Sequence, residues 1–181
     1  MSQRRFFVAV SVVSMLLLVP AIQGFDNGVY NRASGCGCHS QTGSNPASVS
    51  ISGLPSAYDV NKLYQVTVSV SGGVQGSSGG FSLEVDKGTL STGMGLMLVK
   101  VNNQGNSATH TITGSSYRSW SFEWTSPAAG SGTVSFEVAG LTTNGNSQNS
   151  GDRWVTDIFQ IPENIPVNNP CLLYTSDAAD D

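Results

Sequence analysis

Charge is scarce in this 181-residue chain. Asp, Glu, Lys and Arg together make up 11% of it, against about a quarter in an ordinary globular protein. Histidine is limited to 2 residues and cysteine to 3. Each shortage excludes something. With 8 Lys and Arg against 12 Asp and Glu, and a formal net charge of −4, the chain lacks the basic surface that a phosphate backbone needs, so nucleic acid is excluded as a partner. Good helix formers are too sparse for a coiled coil or a helical bundle. No apolar run reaches the roughly 18 residues of a membrane-spanning helix. Catalysis also lacks carriers. Neither histidine lies near a Gly-x-Ser-x-Gly turn, and Glu84, Asp86, Glu123 and Glu137 alternate with apolar positions, which points them to solvent. The expectation is a non-enzyme.

What is present is uncharged polarity: 21 glycines and abundant Ser, Thr, Asn and Gln, a composition suited to an extracellular β-protein. The two ends read differently from the middle. Arg4 and Arg5 precede an apolar stretch from Phe6 to Val19, Pro20 breaks it, and small residues follow up to Gly24. That is the pattern of a secretory signal peptide over 1–24, with a mature chain starting near Phe25 in an oxidising compartment. At the other end, 162–170 reads as a Pro/Asn linker. Residues 171–181, including Cys171, bear no relation to what precedes them and read as a non-native tail resembling a translated sequencing adapter.

Between the ends the hydrophobic pattern has a period of two, broken by Gly/Ser/Asn clusters. Val49 and Ile51, then Tyr64, Val66, Val68 and Val70, then Phe81, Leu83 and Val85 alternate with polar residues. So do Trp120, Phe122 and Trp124, and Val134, Phe136 and Val138. Leu96–Val101 reads as a more continuously apolar strand, 108–113 as a Thr-rich one carrying His110, and Trp154–Ile161 as the last. This predicts an all-β chain over 25–161: a two-sheet antiparallel sandwich of about eight strands. The three tryptophans are expected in its core. The stretch from Asn144 to Asp152 reads as an Asn/Gly turn rather than a calcium loop.

One cluster carries chemistry. Cys36, Cys38 and His39 stand together just before the first strand, within the segment 35–40, and His110 is the remaining histidine. Cys-x-x-Cys-His attaches haem c through two thioethers with the histidine on iron, and here the spacing is one residue shorter. Zinc or copper held by the two thiolates and the imidazoles is a second reading, and a Cys36–Cys38 disulfide a third. For the cofactor readings, His39 and His110 must face a shared slot.

Four stretches carry a resemblance to a known family: Gly35-Cys-Gly-Cys-His39; Ser48–Pro55 with Tyr64-Gln-Val-Thr-Val68; Thr109-His-Thr111 with Trp120–Pro127; and Gly132–Phe136 leading to Asn144-Gly-Asn and Gly151-Asp152. Over roughly 35–160 the chain resembles the choice-of-anchor V domain, which is related to the Reeler domains of extracellular proteins. The resemblance implies an immunoglobulin-like sandwich exported to the cell surface, and the function expected of the chain is that of a binding, adhesion or display module for a surface or extracellular partner. It further implies membrane attachment only through a C-terminal anchor missing from this sequence, and a histidine at the place of His110. Members often carry Cys-x-x-Cys-His at the first motif. The alternative function is a small extracytoplasmic electron carrier with one haem c on Cys36, Cys38 and His39 and His110 as second axial ligand.

Overall fold

The computed structural model describes residues 26–39, 41 and 44–166. The expected signal peptide and the tail at 171–181 lie outside them. Alternation in the sequence becomes strands because one face of each is buried. β1 (Ala47–Ser52), β2 (Leu63–Gly72), β7 (Ser119–Thr125) and β4 (Thr89–Ser91) form a four-stranded sheet in the order β1-β2-β7-β4. β5 (Val99–Val101), β6 (Ser107–His110), β3 (Gly79–Val85), β8 (Val134–Thr142) and β9 (Arg153–Ile161) form a five-stranded sheet in the order β5-β6-β3-β8-β9. Every pairing between named strands is antiparallel. The chain is an all-β, two-sheet antiparallel sandwich.

Register shows how the pattern is read out. Val66 faces Phe122 and Val68 faces Trp120 across β2 and β7. On the solvent side of the same pair, Thr67 Oγ1 meets Ser121 Oγ at 2.8 Å and Ser69 Oγ meets Ser119 Oγ at 2.9 Å. In the other sheet Leu83 faces Val138 and Val85 faces Phe136. The ten interior positions at 66, 68, 70, 81, 83, 85, 122, 134, 136 and 138 are all at most 5% exposed, so the period-two reading assigns the core face correctly. Aromatic contacts knit the two sheets. The rings of Trp124 and Phe136 meet edge to face at 4.9 Å, and Phe81 lies 4.9 Å from Trp120. At about 1.5–3 kcal/mol for each large buried apolar side chain, such a core holds without disulfides.

The structure corrects three details. The described strands number nine rather than about eight, because the three-residue β4 pairs with the end of β7. The expected strand over Leu96–Val101 shortens to β5. Gly95 N donates to Thr92 O and Leu98 N to Gly95 O, so local turns take up those backbone groups, and Leu96 and Met97 are left exposed. The strand expected over 108–113 ends at His110. Thr111 N still reaches Leu98 O, but Thr113–Ser116 winds into a 3-10 turn.

Candidate functional site: a cleft beneath the Cys/His segment

β3 is buried along both faces, although its sequence alternates. The cause is the segment 26–39, which crosses the outer side of the five-stranded sheet. Outward-facing side chains of β3 and β6 hold its backbone. Asn31 N donates to Ser107 Oγ (3.0 Å), Arg32 N to Ser82 Oγ (3.1 Å) and Ala33 N to Glu84 Oε1 (3.0 Å). Tyr30 Oη donates to the Val101 carbonyl at 3.1 Å. Ser82 and Ser107 are buried as a result. Glu84, expected in solvent, is half-buried and has a structural job.

The segment then turns. Gly35 N donates to Arg32 O, and His39 N to Cys36 O at 2.8 Å. Trp154, expected in the core, is only half-buried and sits under this turn instead. A Cβ on Gly35 would lie 3.0 Å from its six-membered ring, and its Nε1 donates to the His39 carbonyl at 3.3 Å. His39 Nδ1 donates to Asp152 Oδ2 at 2.6 Å, and Asp152 is fully buried. The second oxygen, Oδ1, accepts from Asn144 N at 3.2 Å. With Nδ1 committed to a carboxylate, the available lone pair of the neutral imidazole is on Nε2. Cys36 is half-buried, Cys38 is exposed, and both are free thiols, so the expected disulfide alternative is not the arrangement found. Burial, reinforced by Cys38, pushes the Cys36 thiol up to about 12.

His110 comes from the end of β6, 8% exposed. Its Nδ1 lies 3.2 Å from Phe81 N and 3.3 Å from Phe81 O, so the backbone offers a partner to either neutral tautomer. Burial pulls its pKa down to about 4 against the Phe81 carbonyl, which favours the charged form. Lys100 and His39 push the same way as burial, and Asp26 opposes them. Room for the ring comes from Gly80, where a Cβ would stand 2.6 Å from His110 Cε1.

Cys36, Cys38, His39 and His110 all line one cleft of about 540 Å³, together with Val29, Phe81 and Leu141 and with glycines and polar residues such as Ser82, Asn146 and Gln148. Its volume falls within the roughly 300–1,000 Å³ typical of small-molecule sites. The four do not form a tetrahedron: among the described residues no three His, Cys, Asp or Glu side chains are grouped to hold a metal ion. The loop from Asn144 to Asp152 satisfies itself as a turn, with Asn144 Oδ1 accepting from Asn146 N and Asn146 Oδ1 from Gln148 N. Its acidic residue faces His39. Sequence reasoning therefore missed Asp152 and Trp154 as parts of the site. The available signal was a lone acid in a charge-poor loop, directly before a strand carrying Trp.

No family model matches the chain, and no curated protein matches it. Several solved structures do. A reeler domain of human F-spondin is similar at 18% identity, covering 65% of this chain and 91% of that one with a TM-score of 0.48. The Reelin-N domain of F-spondin is similar at 16% identity, covering 70% and 93%, with a TM-score of 0.46. BslA, a bacterial hydrophobin, is similar at 12% identity, covering 66% and 99%, with a TM-score of 0.36.

Proposed function

We propose that this chain is a non-catalytic, extracytoplasmic β-sandwich module, exported by the segment 1–24, whose working part is the cleft at 26–39, and that the cleft holds one haem. The observation that carries this reading is the convergence of all four candidate residues on one cleft. The chemistry of the donor set supports this reading. Cys36 and Cys38 are free thiols, available for thioether bonds. His39 offers Nε2 because Asp152 occupies Nδ1. His110 stays neutral down to about pH 4, and its Nε2 is free in the tautomer that donates from Nδ1 to the Phe81 carbonyl. Haem bound there supplies a one-electron iron couple.

The Asp152–His39 pair has the form of the orienting half of a nucleophilic triad, but the Cys36 thiol lacks the activation that a nucleophile needs. An activated nucleophile has a lowered pKa, whereas that of Cys36 is raised. A zinc or copper centre has less support than haem, since the histidines and thiols share a cleft without forming a compact ligand group.

The test is an absorbance spectrum of the chain exported from a host that carries out haem c maturation. A Soret band that stays with the polypeptide after denaturation, and that changes in His110→Ala while the far-UV spectrum keeps its β signature, is the expected result. A folded, exported chain without haem would refute the cofactor and leave the surface-module reading alone.

A further inference from the structure

The loop that ends at Asp152 has no role in the sandwich core, yet it delivers a fully buried carboxylate to a histidine 113 residues away in sequence. Both carboxylate oxygens are engaged, Oδ2 by His39 Nδ1 at 2.6 Å and Oδ1 by Asn144 N at 3.2 Å, so the group cannot swing without losing a bond. The next side chain but one, Trp154, holds the main chain of the same histidine through its Nε1. Ring and backbone of His39 are thus fixed separately, both from the start of β9. A carboxylate behind a ligating histidine sets which nitrogen carries the proton, orients the ring, and raises the donor strength of the far nitrogen.

We infer that Asp152 is the positioning residue of this cleft: it holds His39 as the Nδ1–H tautomer and makes Nε2 the donor presented to whatever binds there. The identity of the bound group rests on the haem reading above; the tautomer does not. The chain therefore builds its ligand from two distant segments, and Asn144 at the start of the loop holds the second carboxylate oxygen.

Two measurements separate the claims. In the haem-free folded chain, 15N-edited NMR of the imidazoles at pH 7.5 is expected to show His39 protonated at Nδ1. Asp152→Asn is expected to lose that signature and Asp152→Glu to keep it. A wild-type His39 that is protonated at Nε2, or averages between tautomers, overturns the inference whether or not haem binds. In the haem-loaded chain, Asp152→Asn is expected to raise the iron reduction potential, because the anionic acceptor is gone. Exogenous imidazole should then displace the protein ligand at about 10–100-fold lower concentration, the usual cost of losing such a partner. An unchanged potential and unchanged competition overturn the positioning role. Failure of the wild-type chain to carry haem removes the cofactor reading and leaves the tautomer to be decided by NMR.

Discussion

Acidifying the protein should destabilise it through His110. In the unfolded chain an imidazole takes its proton near pH 6.5, whereas in the fold burial delays this to about pH 4. Between those two values the unfolded state binds a proton that the native state refuses, so stability falls as pH falls. Above pH 6.5 both states are neutral at this ring and the contribution is constant. Below pH 4 both are charged and the loss is complete. The ring is 8% exposed, so little of the effect is screened. At 1.36 kcal/mol for each pKa unit, the full loss is about 3 kcal/mol, and about 2 kcal/mol of it has occurred by pH 5.

Charges facing the ring come from three directions. Lys100 on β5 and His39 on the crossing segment oppose protonation, and Asp26 favours it. The assay is urea denaturation of wild type and His110→Gln at intervals from pH 7.5 to 5, above the range in which most carboxylates titrate. Gln keeps a polar group beside the Phe81 backbone and removes the titration. The midpoint of the wild type should move down relative to that of the variant by an amount equivalent to about 2 kcal/mol. Parallel curves, with a difference that stays constant across the window, would refute the burial of a neutral imidazole here.

Other substitutions probe the elements around the cleft and core. Gly80→Ala places a methyl 2.6 Å from His110 Cε1 and 3.1 Å from Nε2; overpacking of this kind costs about 1–3 kcal/mol, and thermal denaturation with an unchanged Tm would show that the ring can move aside. Tyr58→Phe removes the 2.6 Å bond from the phenol of a fully buried ring to the carbonyl of the exposed Gly132, for an expected loss of about 0.5–1.5 kcal/mol in chemical denaturation. Phe136→Ala empties a fully buried position beside Trp124 and should cost about 3–5 kcal/mol; a loss under 1 kcal/mol would mean the two sheets close over the gap.

The sandwich was legible wherever one face of a strand meets core and the other meets water. Val66, Val68 and Val70, or Val134, Phe136 and Val138, alternate because each neighbouring side chain lies on the opposite face. Legibility failed where that condition failed. β3 alternates Ser82 and Glu84 with its apolar residues, which reads as half-exposed, but the segment 26–39 covers its outer face and recruits those polar groups as acceptors. Leu96 and Met97 look like strand because they are apolar, yet the hydrogen bonds of the adjoining turns spend their backbone neighbours locally. Trp154 looks like core because of its size, but its indole N–H needs an acceptor and finds it in the His39 carbonyl at the surface of the sheet.

The candidate site was legible by rarity alone. Two histidines and a pair of adjacent cysteines in a charge-poor chain stand out without any geometry, whereas Asp152 differs from other loop acids only in what lies over it. This division follows from how the module is put together. Cys36, Cys38, His39 and Asp152 lie outside the hydrophobic core, whereas His110 sets its ring 6.2 Å from Trp120 and 6.4 Å from Phe81 at the edge of it. The Cys/His segment is held to the sheet by single hydrogen bonds to Ser82, Glu84 and Ser107 rather than by apolar burial on the scale of β2 or β8. The alternating core pattern therefore constrains the sandwich and, His110 apart, says little of the cleft, which depends on the sandwich for the placement of β3, β6 and the start of β9. What the cleft does has to be read from the few residues that bridge the two parts.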